Sequence, residues 1–364
     1  MTTVGPPPEP FPRIGSSQHR TVHARSYGEG GPGTWIGGWE ELTDNQQLRW
    51  EERYEQFGTR IQQSPAYARA LAASGRSVIV VLTDGAVAAF TRDGAACTAV
   101  CDDQPLLADT VRLDLLADLV SDVHRFTGLA VYLPLVDASC AGVRGYDGFA
   151  VWERPPNSLV DWSLDGEDLW QRALSRGTSQ LTRKRRLVER DGLTLCFGRW
   201  GARAAEDVLE VDDRSWKAER GQSMRMRAGQ DELYRRLVET GTVTVSFLKD
   251  HDRPVAFRMD ARVKDRVMCL KWSYDESYRR YSPGLYLLTE GLRREWADRG
   301  ICTVDLHGSP DALKDLLHSD RPARVDLWYG DPQLGARRAE ERLAFDAGVT
   351  RTHDQGRGLR HAFG

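Results

Sequence analysis

The sequence predicts an α/β protein made of two tandem halves, each a mixed, mostly antiparallel sheet flanked by helices. Three observations carry this. The first is Val267–Asp305, which reads as strand, turn, helix and strand. Val267–Tyr274 is an apolar-rich, partly alternating run. Ser282-Pro283-Gly284 then presents a capping hydroxyl and a proline at the first helical position. Leu285, Leu288, Leu292 and Trp296 recur at the period of a helix with one buried face, Asp298-Arg299-Gly300 ends it, and Ile301–Leu306 is the next strand. The second observation is a meander: Ser77–Leu82, the Asp84-Gly85 turn, Ala86–Thr91, a turn at Asp93-Gly94, and Ala95–Cys101. The third is recurrence. Helix, three-stranded meander, helix and strand follow one another in the same order in both halves, as a diverged duplication would.

Taken in order, residues 1–34 are rich in Pro and Gly and are expected to be a flexible tail. The first half spans about 35–165. Leu48, Trp50, Tyr54, Phe57 and Ile61 suggest amphipathic helices, and Ser64-Pro65 opens another. After the first meander, Leu106–Phe126 has helical spacing. Leu129–Val136 is a buried strand interrupted by Pro134, and Ala150–Trp152 and Leu159–Trp162 are short strands. Residues 166–192 form a connecting basic helix carrying Arg183, Lys184, Arg185 and Arg186 in succession. The second half spans about 193–330: strand Leu193–Arg199, helix Gln230–Val238, strands Thr242–Lys249 and Val255–Ala261, the Val267–Asp305 stretch, helix Ala312–Leu317 and strand Arg324–Trp328. A terminal helix and tail fill 331–364.

With 364 residues, 40% hydrophobic and 28% charged, the chain can bury two ordinary cores and is expected to be globular. A net charge of −3 argues against coating of DNA, while a local basic patch remains compatible with an RNA. No apolar run reaches membrane-spanning length, and no secretion signal is expected. The six dispersed cysteines read as free thiols in a reducing cytoplasm; Cys97 and Cys101 have half of a zinc spacing and no second pair. No metal is expected.

Three segments carry a resemblance. Ser215-Trp216-Lys217 with Gly221, then Tyr274-Asp275-Glu276 with Tyr281-Ser282-Pro283-Gly284-Leu285, then Asp305-Leu306-His307-Gly308 with Lys314, resemble the GCN5-related N-acyltransferase (GNAT) superfamily. Within it the likeness is to the two-domain branch named after a cellulose-biosynthesis accessory protein, itself related to the Fem-type aminoacyl-tRNA-dependent transferases. The resemblance covers about 35–330. It implies a tandem acyltransferase fold with a non-catalytic N-terminal half and a donor bound at the helix beginning near Ser282. The Gln/Arg-x-x-Gly-x-Gly/Ala pyrophosphate loop of ordinary acetyltransferases is absent, and Arg279, Arg280 and Gly284 replace it poorly.

Acyl transfer to an amine needs a donor carbonyl within reach, its polarisation, and an acceptor for the proton. The candidate catalytic residues are Tyr274, Asp275 and Glu276 at one strand end and Asp305 and His307 at the next, expected to converge across one helix. His307 is the natural near-neutral base if uncharged. The candidate donor-binding residues are Arg280, Ser282, Gly284, Leu285, Lys217, Arg183 and Arg186. The expected activity is transfer of an acyl group from acyl-CoA to a small-molecule amine, as in specialised metabolism. The alternative is aminoacyl- or acyl-tRNA-dependent amide-bond formation, and a non-catalytic binding module is the second alternative. The expected partners are a small-molecule amine and, for the alternative, tRNA, with neither DNA nor membrane.

Overall fold

The computed structural model describes residues 33–110, 112–161, 181–298, 300–307, 314, 318–338 and 340. Nearly all of the expected tail, most of the connecting segment, Gly308, the Ala312–Leu317 helix save Lys314, and the last part of the terminal helix lie outside the described residues.

In chain order, β1 (Trp35–Gly38) precedes α1 (Asp44–Phe57). Thr43 caps α1 by accepting from the Gln46 amide, and the Gln46 side chain accepts from Thr43 N in return. Ser64 and Pro65 open α2 (Pro65–Ala73) as anticipated. The first meander is β2 (Val78–Leu82), β3 (Ala86–Asp93) and β4 (Ala96–Ala99). The helix expected from Leu106 begins later, as α3 (Leu113–Thr127), because Leu107–Ala108 are spent on a short strand, β5. β6 (Ala130–Asp137), β7 (Phe149–Arg154) and β8 (Leu159–Asp161) follow. Beyond the undescribed segment come a helix over residues 181–190 (α4) and β9 (Leu193–Arg199). Next come α5 (Ala202–Asp213), the short α6 (Trp216–Glu219) and α7 (Gln230–Glu239). A second meander is β10 (Thr244–Asp250), β11 (Arg253–Val263) and β12 (Arg266–Tyr274). α8 (Pro283–Ala297), β13 (Thr303–Asp305) and β14 (Arg324–Tyr329) complete the set.

Two sheets result, both mixed and mostly antiparallel, with orders β1-β2-β3-β4-β6-β14-β7 and β8-β13-β12-β11-β10-β9. The halves trade strands. β14, late in the chain, pairs antiparallel with both β6 and β7, while β8 from the first half pairs with β13. A division at 35–165 and 193–330 does not contain this exchange, since a strand's own alternation says nothing about which sheet receives it.

The described residues cluster into two compact units: those within 181–262 and 269–298 (unit 1), and those within 33–161, 263–268 and 300–340 (unit 2). Unit 2 packs α3 on the first sheet through Phe90, Leu116, Val120, Val131, Leu133 and Leu327, all buried. Each such side chain contributes about 1.5–3 kcal/mol on leaving water. In unit 1, Val188 of α4 buries against Tyr281, Tyr286 and Leu287, which ties the basic helix to the start of α8.

Candidate active site

Unit 1 carries the residues expected to bind the donor. Pro283 occupies the first position of α8 as expected, but Ser282 does not cap it. Ser282 lies in the left-handed region (φ 49°, ψ 57°) and its hydroxyl makes no cap hydrogen bond. The first turn of a helix has no internal acceptors for its amides, so those of Gly284 and Leu285 have no partner within α8. A Cβ on Gly284 would stand 3.8 Å from the Tyr274 ring and 3.9 Å from that of Trp272. That places Tyr274 directly beside the helix start.

Around this start lies a basic surface. Lys184 Nζ donates to the Arg280 carbonyl at 2.6 Å, pinning α4 to the turn that precedes α8. Arg183, Arg185, Arg186, Arg279 and Arg280 are exposed. Arg185 pairs with Glu189 and Arg280 with Asp191. Arg183, Arg186 and Arg279 have no carboxylate partner among the described residues. Asp191, bonded by Arg190 and the Tyr281 hydroxyl, is held down to about 2.

The residues closing β12 have separate roles. Asp275 is buried, accepts from Ser277 N at 3.0 Å, and receives Arg214 and Arg253 at 2.9 Å each. Burial alone would raise its carboxyl, but these donors hold it below the usual range. It is a cap and an ion-pair anchor. Glu276 is half-buried and follows in the turn, its amide donating to the Arg214 carbonyl.

Lys217 lies further inside unit 1. Its Nζ donates to the Trp272 carbonyl at 2.6 Å and stands 3.8 Å from Asp212 Oδ1. Lys271, in the middle of β12, places its Nζ 4.0 Å from Asp212 Oδ2. Asp212 and Lys271 escaped the sequence reading. Asp212 lies in a helix whose charged residues look solvated, whereas Lys271 had a signal, being the one charged residue inside Val267–Tyr274.

Asp305 and His307 belong to a different assembly, within unit 2. Asp305 is fully buried, paired with Arg60, and accepts from His307 N at 2.8 Å. Arg60 also pairs with Asp103, and Asp103 with Arg324. His307 Nε2 stands 3.2 Å from Asp102 Oδ2, an ion-pair distance that is not aligned as a hydrogen bond. Lys314 Nζ donates to the His307 carbonyl. Burial favours a neutral ring, but Asp102 outweighs it and raises the proton affinity of His307, opposite to the uncharged base wanted of it. Asp305 shows the mirror effect: Arg60 overcomes burial and holds the carboxyl low. The register also matters. β13 pairs with β12 only over Arg266–Met268, with Asp305 level with Met268.

An acetyltransferase (GNAT) domain family matches residues 175–315. The C-terminal DUF2156 domain ascribed to a lysylphosphatidylglycerol synthetase of Agrobacterium fabrum is similar at a TM-score of 0.59 and 14% identity, over 82% of this chain and 96% of that one. The fold is that of the GNAT superfamily. L-PGS of Bacillus licheniformis is similar at 0.52 and 11%, over 78% and 91%. FemX is similar at 0.56 and 12%, over 80% and 97%. Among curated proteins none matches the sequence. The likeness thus extends to the DUF2156 and FemX-type acyltransferases and does not single out the cellulose-accessory branch. Among the described residues, no group of His, Cys, Asp and Glu is spaced to hold a metal, and no helix is long and apolar enough to cross a membrane.

Proposed function

We propose that this chain is an aminoacyl transferase that takes its acyl group from a charged tRNA and joins it to an amine in an amide bond. The observation that carries this reading is the basic surface at the start of α8, where Arg183, Arg186 and Arg279 have no carboxylate partner among the described residues. Such a surface suits a polyanion followed along its backbone better than one compact pyrophosphate. The missing pyrophosphate loop and the similarity to FemX and to structures named for lysylphosphatidylglycerol synthesis agree with it. The acceptor nitrogen attacks the ester carbonyl, the N–C bond forms, the ester C–O bond breaks, and the tRNA 3′-hydroxyl leaves with the proton given up by nitrogen. The Gly284 and Leu285 amides bind the donor's terminal phosphates. Tyr274, beside them, passes the proton to the leaving oxygen. Asp275 is already committed to Arg214 and Arg253, which leaves Glu276 as the carboxylate free to accept it.

The test is a reaction reconstituted with aminoacyl-tRNA and a panel of amines. Ribonuclease abolishes product, and Arg183→Ala with Arg186→Ala raises the KM for tRNA and lowers its salt slope by about one per arginine. Tyr274→Phe lowers kcat with donor binding unchanged. The second reading, acyl-CoA as donor, is favoured by the open amides of α8. Product that forms from acyl-CoA and survives ribonuclease would establish it instead.

A further inference from the structure

We propose that Lys217 and Lys271 form an anion-binding pair that takes a carboxylate or phosphate group of the acceptor, so that the amine substrate is itself acidic. This assignment of the acceptor rests on the transferase reading; the anion site itself does not.

The geometry is unbalanced in charge. Asp212 is fully buried, and its Oδ2 already accepts from the Met224 amide at 2.7 Å. Its Oδ1 has no hydrogen bond, only Lys217 Nζ at 3.8 Å. One carboxylate therefore faces two ammonium groups. Lys217 spends one donor on the Trp272 carbonyl. Lys271 has no hydrogen-bond acceptor among the described residues; its Nζ stands 4.0 Å from Asp212 and 5.2 Å from the centre of the Tyr234 ring. Arg227, exposed at the edge, adds a third positive charge that acts on both lysines. Structural ion pairs are sealed and matched, because an uncompensated buried charge is costly. This one is neither. The lysine side chains remain 13% and 17% exposed, so an anion arriving from solvent can reach them. Burial pushes Lys271 down to about 8 and lowers Lys217 too, the cost that a bound anion would remove.

The surrounding backbone holds the pair in place. The hydroxyl of Ser215 accepts from the Lys217 amide and donates to the Asp212 carbonyl, so α5 and α6 present Asp212 and Lys217 together. Lys271 comes from β12, the strand that ends at Tyr274. The Trp216-Lys217 segment singled out in the sequence is thus half of a two-lysine receptor.

The experiment uses the intact chain with inorganic phosphate and acetate as probes, with chloride making up constant ionic strength. Trace acetylation at pH 8 reads each lysine by peptide mass, with exposed Lys264 as internal reference, and a thermal scan runs in parallel. At ten times its dissociation constant, an anion slows labelling of Lys271 about tenfold and raises the midpoint by about 2 °C. Lys217→Met abolishes both effects, and Lys271→Met abolishes the midpoint shift. Protection by phosphate alone identifies a phosphorylated acceptor, and by acetate alone a carboxylate. If neither anion protects Lys271 or shifts the midpoint, or if both variants shift as the parent does, the pair is only a strap for Asp212 and the proposal is overturned. No turnover is needed, so this outcome is separate from loss of the tRNA reading.

Discussion

Unit 1 buries Arg258 between Asp260 and Glu295 as an ordinary ion-pair cluster, but a second cluster in it and the one around Arg60 in unit 2 are built on different principles. In unit 2, Asp102, Asp103, Asp137 and Asp305 meet Arg60, Arg324 and His307, four acids against three bases, so every base is within ion-pair distance of a carboxylate. In unit 1, Asp212 alone answers Lys217 and Lys271. A network in which every cation has its own close carboxylate holds parts of a chain together, even where solvent reaches His307 and Asp102 at its edge. One in which two ammonium groups share a single carboxylate at 3.8 and 4.0 Å pays in stability for a charge that something else must neutralise. On that difference the cluster around Arg60 reads as scaffold and the lysine pair as the proposed site, without any appeal to sequence motif.

The largest effect tests the matched cluster. Asp305→Asn leaves Arg60 facing Asp103 alone inside the protein, where breaking a buried pair costs about 3–5 kcal/mol. The expected result is a clear fall in the thermal or denaturant midpoint. A reading of Asp305 as a catalytic carboxylate would instead predict slow turnover at an unchanged midpoint. A loss below about 1 kcal/mol would show that Asp305 behaves as a surface ion and would return it to the candidate catalytic set.

The unmatched cluster is tested by pH, and here the sign matters. Lys271 has a folded value of about 8, below its ordinary value of 10.5, so between those limits the unfolded chain holds a proton that the folded chain lacks. Stability then rises with pH through that window, by roughly 3 kcal/mol if the depression is complete. Lys271→Met removes this rise, so the variant is more stable than the parent at pH 7 relative to their order at pH 10. If the two stability curves stay parallel, Lys271 is not depressed and the contrast between the clusters fails.

The legible parts of the chain were those with local signals. Asp84-Gly85 and Asp93-Gly94 marked the turns of the first meander, and Pro283 marked the start of α8. Leu106 and Leu107 misled because two leucines ahead of a helix look like its first turn, yet one of them belongs to a strand. Ser282 misled because a hydroxyl before a proline has the right chemistry for a cap, and only the backbone angle shows that it is turned away. α5 was missed because Glu206, Asp207, Glu210 and Asp212 make it look like a solvated stretch, although Asp207 and Asp212 are buried. The network around Arg60 had no local signal at all: its ion pairs join residues 43 and 245 positions apart. β14 was read correctly as a strand, but its pairing with β6 and β7 had no local signal, for the same reason.

The smallest effect comes from His307 and runs opposite to that of Lys271. Its folded proton affinity is raised by Asp102, and Asp102 in turn is held down to about 2, the burial penalty on its charge being outweighed by His307 and Arg60. The stabilisation from the raised histidine is fully present below the unfolded value of about 6.5 and is lost as pH rises through the folded one. The contribution of Asp102 is lost only under acid, as pH falls from its ordinary 3.8 toward 2. The His307 side chain is 25% exposed, so solvent screens the pair and the effect is modest. His307→Gln should therefore be less stable than the parent at pH 6 and draw level with it in alkali, while Lys271→Met gains on its parent as pH falls. Stability of the parent and both variants across pH 5 to 10 places these slopes side by side. A His307→Gln deficit that stays constant with pH would mean the ring contributes by packing alone, with no charge on it for Asp102 to hold.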